Sequence, residues 1–115
     1  MATLDELTRL TLAFRAERNW QQFHNPKDLA ICLCLEAGEV LELMQWRNGP
    51  DLEQHLTARQ RDLADELSDV LHAVLLLAHD RGIDLAEAYR DKMRRNAEKY
   101  PADKARDRAA KYTEL

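Results

Sequence analysis

The sequence predicts an all-α protein whose protomer is a four-helix bundle, and three observations lead there. The 115 residues include only three glycines and three prolines, with 6% aromatics and abundant Leu, Ala, Glu and Arg, a composition that suits helices and starves a sheet of its usual residues. Apolar side chains recur at spacings of three and four. Helix-start signatures stand at four separate places, each followed by a stop signal. The length suits a single domain, 1–115, with one core.

Thr3-x-x-Glu6 has the form of a capping box, and Leu4, Leu7, Leu10, Ala13 and Phe14 then follow at helical spacing, so the first helix is predicted over about 4–18. Asn25-Pro26 reads as an N-cap and first helical residue opening a second helix, about 26–47, which Asn48-Gly49-Pro50 breaks. Thr57-x-x-Gln60 is a further capping box, and the third helix is expected over about 58–81 with Gly82 as its C-terminal cap. Asp84-x-x-Glu87 starts a fourth, about 85–99, because Pro101 disfavours helix at the residue before it. Residues 101–115, PADKARDRAAKYTEL, form a basic, weakly apolar tail that needs a docking site.

A net charge of −4 argues against a nucleic-acid groove, which would require a basic face. The apolar runs Leu29–Leu35 and Ala73–Ala78 fall far short of the roughly 20 residues that span a bilayer, so no membrane partner is expected. MATLDELTRL carries acids and lacks the apolar segment of a signal peptide. Cys32 and Cys34 point about 160° apart on a helix and cannot bridge each other, which suits a reduced cytoplasm, and they read as small buried apolar residues. The stretches LAICLCL and AVLLLA are apolar over more than one helical face, so part of that surface is expected to be buried in a homo-oligomer.

The chemistry-bearing pattern is a pair of pairs. Glu36-x-x-Glu39 lies on the second helix and Glu66-x-x-Asp69 on the third, and a spacing of three sets each pair about 60° apart on one helical face. Short connections make successive helices neighbours, so the two pairs can meet across a bundle interior. Four carboxylates within about 5 Å would repel by roughly 3 kcal/mol per pair at an effective dielectric near 20, and protons or a metal must offset that. Solvated surface and cation site are both open on spacing alone. If a cation is held, oxygen-only ligands without Cys or Glu-x-x-His favour Mg²⁺ or Mn²⁺ over zinc or iron. Mg²⁺ is ordinarily completed by substrate phosphates, which points to a nucleotide. Glu42 lies about 60° beyond Glu39 and reads as exposed or as a support to the ligands, and His72 as a packing residue.

The order Glu36-x-x-Glu39, 26 intervening residues, then Glu66-x-x-Asp69 resembles the metal motif of the all-α MazG-like nucleoside triphosphate pyrophosphohydrolases. FRAERNWQQFHNPKDLA, LMQW, KMRRNAEKYP and KYTEL extend the resemblance over nearly the whole chain, and they are most similar to the dCTP pyrophosphatase branch. The resemblance implies that Glu36, Glu39, Glu66 and Asp69 hold Mg²⁺ and that a nucleoside triphosphate is cleaved to its monophosphate and pyrophosphate. It implies a base pocket near Trp20, His24 and Trp46, and a polar and basic set near the triphosphate comprising Lys92, Asn96, Lys99, Tyr100, Lys111 and Tyr112. It also implies a dimer or a dimer-of-dimers tetramer. Relatives of that branch carry histidine, asparagine and tyrosine where this chain has Thr11, Asp28 and Ala73, so its base selectivity is open.

Cleavage between the α and β phosphates needs an in-line water and a base for its proton, a role expected of Glu36 or Glu39. Lysine ammonium groups would steady the outer phosphates as point charges, and a tryptophan face on which a base stacks is worth about 1–3 kcal/mol. Two other expectations compete. One keeps the catalysis and changes the substrate to dUTP, phosphoribosyl-ATP or another nucleotide; the other is a helical bundle that only mediates assembly.

Overall fold

The computed structural model describes all 115 residues, and every regular element in it is helical. The α-helices are α1 (Leu4–Glu17), α2 (Pro26–Glu42), α3 (Gly49–Ala58), α4 (Gln60–Asp80), α5 (Leu85–Lys99) and α6 (Ala102–Ala105), with 3₁₀ turns at Trp20–Phe23 and Tyr112–Glu114. The all-α class holds, but the chain forms six α-helices where four were expected.

Three of the expected helix starts form their caps. Thr3 Oγ1 accepts the Glu6 N–H at 3.2 Å, Asn25 Oδ1 accepts the Asp28 N–H at 2.9 Å ahead of Pro26, and Asp84 Oδ1 accepts the Glu87 N–H at 3.1 Å. Each satisfies a first-turn donor that the helix itself leaves unpaired. The fourth does not form. Thr57 lies inside α3, where its hydroxyl donates to the Glu53 carbonyl at 2.9 Å, and the break falls at Arg59, whose backbone (φ −111°, ψ 27°) leaves the helical region. Asn48-Gly49-Pro50 ends one helix and also begins the next: Gly49 takes φ +55° and Pro50 sits in the first turn, where its missing N–H costs nothing. α2 stops at Glu42, earlier than 47, because the chain tightens into i→i+3 bonds, Met44 N–H to Leu41 O at 2.9 Å and Arg47 N–H to Met44 O at 3.0 Å. Gly82, at φ +65°, follows α4 as expected.

Met1–Gly82 and Ile83–Leu115 are two compact units. In the first, α4 is the central helix, packed along α2 and touching α1 and α3. The side chains that α2 and its C-cap draw out of water include Leu29, Leu33, Glu36, Val40 and Leu43, and those of α4 include Leu63, Glu66, Val70, Ala73 and Leu77, both in the 3-4 rhythm of a packing seam. Leu29, Ala73, Leu75, Leu76 and Ala78 are the buried apolar residues, and burying each leucine stabilises the fold by about 1.5–3 kcal/mol.

Thr11 and Arg15 of α1 are also buried, and Arg15 reaches Asp80, the last residue of α4. The two guanidinium nitrogens Nη1 and Nη2 donate to the two carboxylate oxygens at 2.8 Å each. Those hydrogen bonds raise the Arg15 pKa and hold the Asp80 carboxyl below its usual 3.8. Because the folded-state pKa of Asp80 is depressed, its stabilisation is present above the unfolded value and disappears as pH falls through the folded one. Asp80→Asn should therefore lower the free energy of urea unfolding by about 2 kcal/mol at pH 7, and the gap to the natural protein should narrow below about pH 4.

Candidate metal centre

Glu36 and Glu66 occupy the α2–α4 seam, each flanked along its helix by apolar seam residues: Leu33 and Val40 around Glu36, Leu63 and Val70 around Glu66. Both are half-buried, whereas Glu39 and Asp69, three residues on, are exposed at the edge of the same faces. One carboxylate oxygen from each of the four lies within 4.8 Å of the others. The α2–α4 contact thus brings together all four acids of the double pair. Glu36 Oε2 and Glu66 Oε2 are buried and have no hydrogen-bond partner.

Crowding shows in the proton affinities. Glu66 is pushed up to about 7, first through Glu39, with which it can share a proton, then by burial and by the charges of Glu39, Asp69 and Glu36. Burial raises Glu36, and the charges of Glu39 and Asp69 add to it. Two orphaned carboxylate oxygens in a cluster of four acids fit a hard divalent cation, which takes oxygen ligands. Glu36, Glu39, Glu66 and Asp69 would hold such an ion, and it would offset the mutual repulsion of the four carboxylates.

A cavity of about 470 Å³ adjoins the cluster, lined by Leu10, Thr11, Phe14, Asp69 and His72. Asp69 belongs to both. Phe14 stands edge-on to His72 and to Trp20, each at 5.9 Å between ring centres, and the Arg18 guanidinium lies 3.8 Å over the Phe14 ring. Burial lowers the His72 pKa against the opposing pull of Asp69. Trp46 lies elsewhere in this unit, beside a second cavity of about 450 Å³ with Glu42, Arg47, Asp51, His55 and Arg59. Glu42 is exposed there, and His72 is the packing residue that was expected.

The remaining candidates fall into different surroundings. His24 caps the Trp20–Phe23 turn, and its Nδ1 lies 3.2 Å from Arg15 Nη1. In the Ile83–Leu115 unit, Tyr112 packs edge-on to Tyr100 at 6.1 Å with the Lys99 ammonium 5.0 Å above its ring. A cavity of about 360 Å³ there is lined by Glu98, Lys99, Pro101, Lys104, Tyr112 and Leu115. Asn96 is half-buried, and Lys92 and Lys111 are exposed. Phe14, expected only as an apolar helix position, lines the cavity, and Arg15 and Asp80 gain their importance only in the folded chain. Arg15 carried a usable signal, since it continues the Leu4, Leu7, Thr11 spacing where an apolar residue would be expected; its partner, 65 residues away, carried none.

A model of the MazG-like family matches residues 31–115. The chain is 44% identical over 115 residues to dCTP pyrophosphatase 1 of Homo sapiens and 43% over 117 to that of Bos taurus, covering 98% of this chain and 68% of each relative. A crystal structure of a pyrophosphatase from Archaeoglobus fulgidus superposes with a TM-score of 0.81 at 35% identity, over 88% of this chain and 94% of that one. Fold and site define an all-helical protein with an acid cluster set into a helix seam. Within that class, the chain belongs to the MazG-like family.

Because the folded-state pKa of Glu66 is raised from 4.5 to about 7, the metal-free fold binds more protons than the unfolded chain across that interval and loses stability as pH rises through it. Thermal unfolding in chelator should show a midpoint that falls between about pH 5 and 8. Millimolar Mg²⁺ should raise the midpoint most at the alkaline end, and Glu66→Gln should flatten the slope.

Proposed function

We propose that this protein is a divalent-cation-dependent nucleoside triphosphate pyrophosphohydrolase that cleaves dCTP, or a modified dCTP, to the monophosphate and pyrophosphate. The observation that carries this reading is the convergence of Glu36, Glu39, Glu66 and Asp69 with two buried oxygens lacking partners. Its substrate rests on the relatives named dCTP pyrophosphatase 1. The four acids would hold Mg²⁺, or Mn²⁺ in its place, and the ion when bound would neutralise phosphate charge.

The chain's own residues supply the rest. Water oxygen attacks the α-phosphorus, the bond to the bridging oxygen of the β-phosphate breaks, and pyrophosphate leaves with that electron pair. Glu39 or Glu36 takes the proton of the attacking water; Glu39 is favoured because it lies exposed at the edge of the cluster, where water reaches it. In this reading the cavity beside Asp69 receives the nucleoside, with Trp20 packed on Phe14 of its wall and His24 assigned to the base, while Trp46, which lines the second cavity, is the one base-pocket candidate that stands apart from it. Lys92, Asn96, Lys99, Tyr100, Lys111 and Tyr112 are assigned to the triphosphate. The lysines act there as point charges.

A homo-oligomer, either a dimer or a dimer-of-dimers tetramer, is part of the same proposal. It is supported by Ile31, Leu35 and Leu41 of α2, all about half or more exposed in the single chain. A cytoplasmic setting rests on two free cysteines that cannot pair with each other.

The test is turnover of dCTP, 5-methyl-dCTP, dUTP and phosphoribosyl-ATP with Mg²⁺, with products identified as monophosphate and pyrophosphate. Either dCTP or 5-methyl-dCTP should give the highest kcat/KM, and Glu39→Gln should lower kcat at least about 100-fold with an unchanged helical circular-dichroism spectrum. Orthophosphate as product, or no turnover of any of the four, would overturn the reading.

A further inference from the structure

The geometry points to Arg15 and Asp80 as positioning residues that fix the tautomer of His24 and the seat of the turn carrying Trp20. This inference rests on the reading that His24 and Trp20 serve the nucleotide.

Arg15 is 8% exposed, and its two nitrogens Nη1 and Nη2 grip Asp80 in a two-point fork. Nη1 also lies 3.2 Å from His24 Nδ1. A guanidinium has donors only, so Nδ1 must accept, and the single proton of the neutral imidazole sits on Nε2. His24 thereby keeps one defined donor for an acceptor atom of a nucleotide. The same contact anchors the far end of the Trp20–Phe23 turn, whose near end begins at Asn19 in the left-handed region at φ 53°. Phe14, the residue before Arg15, meets both Trp20 and His72, so the clamp and the cavity wall share one short piece of α1.

Stability alone is a weak reason to bury Arg15 against the partly exposed Asp80, because a well-packed apolar residue of similar volume commonly serves as well. What such a residue cannot do is donate to His24. Lysine at position 15 would keep the charge opposite Asp80 while losing the planar fork that reaches Asp80 and His24 together.

Two measurements on the full chain test this. Long-range proton–nitrogen NMR of histidine-labelled protein should show His24 as the Nε2–H tautomer, and Arg15→Lys should convert it to a mixture. In a double-mutant cycle, Arg15→Lys and His24→Ala should each raise KM for dCTP by about five- to tenfold with kcat changed less than about twofold, and the double variant should be no worse than His24→Ala. An Nδ1–H tautomer in the natural protein, or losses that multiply in the double variant, would overturn the inference. If no nucleotide is turned over, the function proposed above fails and the tautomer measurement still decides the role of Arg15.

Discussion

Where α2 packs on α4, two seam positions that leucine or valine would ordinarily fill are occupied by Glu36 and Glu66, and the rest of the site follows from that placement. Apolar seam residues on either side, Leu33 and Val40 on α2 and Leu63 and Val70 on α4, hold the two helices together and so keep the backbones of Glu36 and Glu66 close. Their neighbours three residues on, Glu39 and Asp69, are then brought to the cluster from the rim. The result is local electrostatic conflict sustained by hydrophobic burial elsewhere, the usual way a fold stores strain at a working site. Protonation of Glu66, whose proton affinity is raised to about 7, relieves the conflict in one way, and a bound cation would relieve it in another.

The acids ride on two helices, while Phe14, Trp20 and His24 ride on the end of α1 and the short turn after it. Helices hold the acids at a fixed mutual distance, whereas a short turn is held only by what packs against it. A turn has few contacts of its own, and the Arg15–Asp80 clamp supplies an anchor from α1 and α4. Asp69 joins the two parts, since it belongs to the acid cluster and also lines the neighbouring cavity.

The cysteines run against the reading of α2 as a helix with buried small residues. Cys32 and Cys34 are exposed in the single chain, as are Ile31 and Leu35 beside them. α4 covers only one side of LAICLCL, which leaves apolar side chains of α2 facing outward in the single chain. No large side chain in the chain is completely buried, so this is a fold with a thin core and much apolar surface still facing outward.

The sequence by itself determined the helical class, three of the caps, the stop at Gly82 and the pairing of acids at i and i+3, because all of these are local: they depend on backbone propensity, on a side chain reaching its own helix end, or on a fixed angle per residue. The helix α3 was not foreseen: Thr57 was expected to cap the following helix, whereas it lies inside α3 and its hydroxyl bonds back to the Glu53 carbonyl. Tertiary structure alone decided that the two acid pairs face each other, that Phe14 lines a cavity with His72, and that Arg15 meets Asp80 and His24. Those are contacts between distant parts of the chain, and nothing in local chemistry specifies which buried charge will find which partner.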